Sequence, residues 1–558
     1  MTFHRVAVLL IATAFVFVTV QPGAAQANTG VVEGVVKNAS GQAVTGAFVK
    51  LKNDARRLTF MVISQVQGRY TADRLPPGQY RVQGVGAGFE SAWSAPIEVV
   101  VAKDKATRLD LSLTKQMGPI LPPAWPNRIA EDVAVNLKLP EGKSKEETKG
   151  KEIVQARCVA CHGLDDVMKM RVDRKTWQMF LEQMAEQLVD RKLPPWTAEE
   201  AATMLDYLAA SFQPMPIPDP NSRLPRTLMT GAAAKYRVVQ YDLVNGDAQT
   251  HDVASDPWGH GWANQRAGFI SHLDPDTLVH EEIAPPPARP GATIRPGNLQ
   301  VSSDGKVWFP EGRRMMSYDI KAKTWATYDY PADLPGGPGG NSLVVAPTGM
   351  VWVSGPGMIK SLNPKTNEWK VYELPSRARL PGGYGINVAG DGSVWMALDQ
   401  SDSMARLDPE TGRIQEFKIP VEGRLYPRRL GPDAEGNLWV GLWRAGKLLK
   451  IDPRTNHMTA FDPPSGRLSG AYTVSVDRKN NLVWVSLHTV DKIARFNPRT
   501  GAWAEFPLPQ SQSDVRRIEV DPSNPNRVWW STAGGTTNGT TGGPNSGGSR
   551  LGFLEVLD

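Results

Sequence analysis

Cysteine is almost absent from this chain, which has two in 558 residues. That excludes a framework of several disulfides and any metal site built from four thiolates. A large excess of one charge is also missing. Sixty-three Lys and Arg face 57 Asp and Glu, a formal net charge of +6. So small an imbalance for this length does not point to nucleic-acid binding, and no nucleic-acid partner is expected. Long apolar runs are lacking too. The run Val6 to Val20 is about 15 residues, short of the ~20 that a spanning helix needs. Arg5 precedes it and Ala25-Gln26-Ala27 follows, so residues 1–27 read as a signal peptide. The mature chain is expected to begin near Asn28, to be periplasmic or otherwise exported, and to be soluble, with no integral membrane segment after cleavage. An oxidising compartment favours disulfides, so a chain without spare thiols must rely on core burial.

The two cysteines stand together in Cys158-Val159-Ala160-Cys161-His162. Two thiols at this spacing, with a histidine directly after, form a covalent haem attachment motif. Each thiol adds to one haem vinyl group, and the adjacent imidazole becomes an iron ligand. One haem c is therefore expected, on Cys158 and Cys161, with His162 as the proximal ligand. The competing readings are a solvent-exposed redox dithiol and a chance match.

Glycine, proline and tryptophan are abundant, at 52, 45 and 17 residues. Trp308, Trp352, Trp395, Trp439, Trp484 and Trp529 recur at intervals of 44, 43, 44, 45 and 45. Asp274, Asp319, Asn363, Asp408, Asp452 and Asn497 keep step with them, mostly followed by proline. Periods in the 40s with turn-rich β units indicate a propeller. Trp262, 46 residues before Trp308, makes seven repeats. The segment Tyr236 to Leu243 is expected to complete the last blade beside Leu551 to Val556, closing the ring and removing an open sheet edge. Gly534 to Ser549 reads as a surface loop.

These features divide the chain. Residues 31–115 hold short β-prone runs separated by Gly41, Gly68 and Pro76-Pro77-Gly78, and predict a small sandwich. Residues 116–142 are a proline-rich linker. Residues 143–213 carry the thiol motif and three predicted helices: one after Ser144, one over Arg174 to Leu188, and one capped by Thr197. Residues 222–558 are the propeller.

Three resemblances add to this reading. Gly41 to Ala47, Gly68-Arg69-Tyr70 and Leu75 to Tyr80 resemble the carboxypeptidase regulatory-like domain, which implies a transthyretin-like sandwich. Three helices around Cys158–His162 resemble a small class I cytochrome c. That resemblance implies a distal methionine ligand. Met168, Met170, Met179 and Met184 are the candidates. Met184 is preferred, because it follows Trp177 and precedes a last helix containing Tyr207-Leu208. The expected fold is thus multidomain and mainly β: an N-terminal β-sandwich, a small α-helical cytochrome c domain and a C-terminal seven-bladed β-propeller.

Val301 to Phe309 and Ile451 to Thr455 resemble the virginiamycin B lyase (streptogramin lyase) family. It implies a propeller performing metal-assisted elimination, with a histidine eleven residues before the blade tryptophan and an acid three after it. From Trp308 onward the first position, allowing for insertions in the last two blades, holds Gly297, Asn341, Tyr384, Arg428, Tyr472 and Arg516. The second holds one acid, Glu311. His488 stands one place late. Streptogramin lyase activity is therefore not expected. Arg428 and Arg516, with Tyr384 and Tyr472, are expected at the propeller's mouth, suited to an anionic ligand or paired with acids such as Glu435 and Glu519. The expected function is electron transfer through the haem with a redox partner protein, a periplasmic dehydrogenase or oxidase. The alternative is a haem-coupled dehydrogenase or lyase whose active site lies in the propeller.

Overall fold

The computed structural model describes residues 29–101, 106–120, 139–158, 167, 173–190, 193–213, 219–246, 248–292, 294–376, 382–532 and 548–557. The segment 1–27 read as a signal peptide, most of the segment read as a linker, Cys161, His162, Met168 and Met170 lie outside these residues. Among the described residues no helix is long and apolar enough to cross a membrane.

Six four-stranded antiparallel sheets follow one another from Val253 to Pro507 and form blades 1 to 6. The repeated tryptophans lie on the second strand of each blade and are buried. The aspartate and asparagine series has a different task. Each side chain accepts backbone N–H groups just beyond it, as Asp408 does from Glu410 (2.9 Å) and Asn363 does from Lys365 (3.1 Å). This fixes the turn between the third and fourth strands. Gly305, Gly392 and Gly436 sit at φ of 81°, 84° and 89°, in the turn before the tryptophan strand, where a side chain would be strained.

Blade 7 is assembled from both ends of the propeller sequence. Val515–Val520, Arg527–Thr532 and Arg550–Val556 are joined by Tyr236–Asp242, in register from Tyr236↔Val556 to Asp242↔Arg550. The expected closure is borne out.

Strand pairing joins two of the expected regions, and the expected fold of a third is corrected. The N-terminal sandwich is present and is joined to the propeller through a sheet edge. Its strand Leu58–Ile63 pairs with Tyr236–Asp242, Val238 opposite Met61 and Tyr241 opposite Leu58. One ten-stranded sheet therefore runs from the sandwich through blade 7. All six residues of Leu58–Ile63 are buried, so this strand needs cover on both faces and along its edge. One hydrophobic core holds Val49, Tyr70 and Tyr80 of the sandwich with Trp529 and Phe553 of blade 7. Lys50, buried in the joint, donates to Asn221 Oδ1 and to Pro509 O, both at 2.8 Å.

The correction concerns residues 143–213, where a cytochrome c domain is not shown. The described residues are mainly β with three helices: α1 (Lys145–Arg157), α2 (Arg174–Asp190) and α3 (Ala198–Ser211). Ser144 caps α1 and a Thr197–Glu200 capping box starts α3, as expected. Their buried stripes bring Val154, Trp177, Phe180, Met204, Tyr207 and Phe212 into one cluster. A 3.6-residue period specifies helices and their buried faces, but many small helical bundles share it, so it does not define one helical fold.

Candidate functional site

The first strands of the seven blades surround the central channel, and three of them are irregular. The register shifts between Pro427 and Leu430, between Ala471 and Val474, and between Val515 and Arg517. A bulge re-aims the side chains at the extra residue. Here it turns Arg428, Arg429, Tyr472 and Arg516 toward groups from other blades.

Arg429 is a strut across the channel. From blade 5 it donates to Asp252 Oδ1 at the start of blade 1 (2.5 Å), and to Ser342 Oγ and Asn341 O at the start of blade 3 (both 3.1 Å). Asp252 also accepts from His251, Nδ1 to Oδ1 at 2.8 Å. Burial opposes ionisation of Asp252, but the Arg429 guanidinium and His251 hold its pKa at about 2. His251 Nε2 faces the Tyr384 hydroxyl at 3.4 Å. The Tyr384 and Tyr472 hydroxyls share a short hydrogen bond. Beyond Tyr472, His488 stacks on its ring at 5.0 Å, bonds Asp514 through Nε2, and accepts from the Trp443 indole at 3.3 Å.

Arg428 lies within this ring of aromatic side chains. Its guanidinium carbon is 4.1 Å from the Tyr384 and Tyr426 ring centres, 5.1 Å from Tyr472 and 5.5 Å from Trp443. Such a cage holds cations through the ring quadrupoles. Here the protein's own arginine occupies it, 3.4 Å from Asp399. Arg516 pairs with Asp514 at 2.9 Å. The four residues expected at the mouth are thus brought together. They are largely buried, and the arginines' carboxylate partners are Asp399 and Asp514. Glu435 and Glu519 lie instead beside Lys450 (4.0 Å) and Arg517 (3.1 Å).

One functional group was missed by counting repeats from Trp308. His251 stands eleven residues before Trp262, so blade 1 does carry a histidine at that position. With Asp252 as orienting carboxylate it has the arrangement of a general base and its partner, its free nitrogen toward a phenol. Glu311, the acid three residues after Trp308, is committed to Arg314 at 2.8 Å.

Burial pushes His251 down to about 4. An imidazole depressed from 6.5 stays neutral in the fold while the unfolded chain takes up a proton. Stability should therefore fall as pH drops from about 6.5 to about 4, and this contribution should be flat above that window. His280, also held at about 4 by burial, acts in the same direction. Thermal unfolding followed across this range should show the loss, and His251→Gln should make the curve shallower. A curve of unchanged slope in that variant would contradict the assignment.

In the helical segment, Cys158 is buried at the C-terminal cap of α1, its N–H bonded to Val154 O. Met179 and Met184 pack against the same cluster. The remaining residues of the thiol motif lie outside the described residues.

Fold and channel define a β-propeller joined edge to edge to a β-sandwich. Residues 290–542 match the virginiamycin B lyase family, and residues 31–114 match the carboxypeptidase regulatory-like domain. Among solved structures, a streptogramin B lyase is 20% identical, covering 59% of this chain and 100% of that one, with a TM-score of 0.49. Virginiamycin B lyase from Staphylococcus aureus is 20% identical, covering 58% of this chain and 100% of its own, with a TM-score of 0.47. Regucalcin from Bos taurus is 40% identical over 58 residues, which are 10% of this chain and 19% of that protein's length.

Proposed function

We propose that this chain is an exported haem protein that passes single electrons, with the propeller as its docking or ligand-binding surface. The observation that carries the proposal is the motif Cys158–His162, whose first thiol is buried in one cluster with Met179 and Met184. Cys158 and Cys161 would hold the haem, with His162 and Met184 as iron ligands. Bound there, a haem c supplies one-electron chemistry, and a methionine sulfur raises its potential. Trp177 and Tyr207 belong to the same cluster and donate hydrogen bonds to Phe212 O (3.4 Å) and Pro140 O (2.8 Å). The partner would be a periplasmic dehydrogenase or oxidase.

A second reading has one specific observation in its favour. The pair His251–Asp252, aimed at Tyr384, could serve proton abstraction in an enzyme that delivers electrons to the haem. Metal-assisted streptogramin opening is disfavoured, because Asp252 is already neutralised by Arg429 and Glu311 by Arg314. Reduced-minus-oxidised spectra separate the two readings. The carrier should be reduced by a partner dehydrogenase and remain oxidised with small-molecule substrates alone. Direct substrate-driven reduction would favour the enzyme instead.

A further inference from the structure

Blade 1 differs from its neighbours around its tryptophan. His272 stands opposite Trp262 on the third strand, where blades 2 to 6 place Ser317, Ser361, Arg406, Lys450 and Arg495. His260 precedes Trp262 by two residues, where blades 2 to 5 have Lys306, Met350, Ser393 and Asn437. The two imidazoles meet, His260 Nδ1 to His272 Nε2 at 2.8 Å. Asp256 joins them, and one donor atom from each residue lies within 4.8 Å of the others.

Asp256 alone is an ordinary part of the repeat. It accepts the Trp262 indole N–H at 2.9 Å, as Asp433 of blade 5 does for Trp439 at 2.9 Å. Blade 5 therefore has the acid without the imidazoles. Two features set blade 1 apart: the facing ring nitrogens and the neighbour of His272 Nδ1. That neighbour is Glu281, whose carboxylate is 3.5 Å away. A carboxylate on the far nitrogen is what commonly orients a metal-bound histidine.

We propose that Asp256, His260 and His272 bind one divalent transition-metal ion, with Zn²⁺ the best match. Two imidazole nitrogens and a carboxylate oxygen suit a borderline ion with bonds of ~2.0–2.1 Å. Tetrahedral geometry at that length sets two nitrogens ~3.3 Å apart, so the two ring nitrogens, now 2.8 Å apart, must open by about half an ångström. Asp256 is buried while both histidines are half-buried, which leaves the fourth position to solvent.

The site stands at the seam of the ring. Trp529 of blade 7 donates its indole N–H to Gly259 O, one residue before His260, at 3.2 Å. An ion there ties this loop to the third strand of blade 1, beside blade 7. Binding to the fold and not to the unfolded chain raises thermal stability in proportion to ligand concentration.

The test uses the full exported chain without a polyhistidine tag. Zn²⁺ titration by calorimetry, Co²⁺ absorption and thermal unfolding with and without Zn²⁺ are compared between the parent and His260→Asn with His272→Lys. Those are the residues that blade 5 carries at the same places. The parent should bind one equivalent in the micromolar range or tighter and gain stability with Zn²⁺. The variant should bind at least tenfold more weakly and lose that gain, its unfolding in chelator unchanged. If the double variant does not fold, His272→Ser, the residue of blades 2 and 3, takes its place. Equal binding by parent and variant, or no binding by the parent in that range, overturns the proposal.

Discussion

Arg429→Met should destabilise the propeller by about 3–5 kcal/mol, the usual cost of removing one partner of a buried ion pair. Arg429 is 1% exposed and its partner Asp252 is 1% exposed. Without the guanidinium, Asp252 keeps His251 as its side-chain donor among the described residues, and Ser342 Oγ and Asn341 O lose their cross-channel donor. The cost arises from an uncompensated carboxylate, so removing the carboxylate as well should recover part of it. Asp252→Ala combined with Arg429→Met is expected to be more stable than Arg429→Met alone. Urea unfolding of the three proteins checks this. A loss below about 1 kcal/mol in the single variant would mean that the strut is dispensable or water replaces it.

Cys158→Ala with Cys161→Ala should abolish covalent haem. No other cysteine exists in the chain, so no thioether can form elsewhere. Acid acetone should extract all haem from the variant and none from the parent. Haem that resists extraction in the variant would end the assignment. In the same spectra, Met184→Ala should remove a methionine–iron charge-transfer band. A band that persists would move the ligand to Met168, Met170 or Met179.

The tryptophan and aspartate series made the propeller legible because each repeat must bury the same side chain and fix the same turn. Ring closure by Tyr236–Asp242 was legible for a related reason. A seventh blade lacking an outer strand leaves a visible deficit, and a strand-like segment stands just ahead of the first repeat. The pairing of Leu58–Ile63 with that strand was not legible. Its partner lies far along the chain, and alternation of side chains records which face is buried, not which strand lies alongside. The channel was legible only by halves. Repeat alignment gathered Tyr384, Arg428, Tyr472 and Arg516, but in sequence a bulge looks like an added loop residue. The carboxylates Asp252, Asp399 and Asp514 therefore went unassigned, and His251 escaped because the histidine position was compared only from Trp308 onward.

Haem content is the most direct test of the central claim. The full-length chain, with the N-terminal segment read as an export signal, is produced in cells able to attach haem c, and the purified protein is measured by pyridine haemochrome and intact mass. The account predicts one covalent haem per chain, with the c-type spectrum given by two thioether bonds. A purified protein of the bare polypeptide mass, with both thiols free to alkylation, would contradict it.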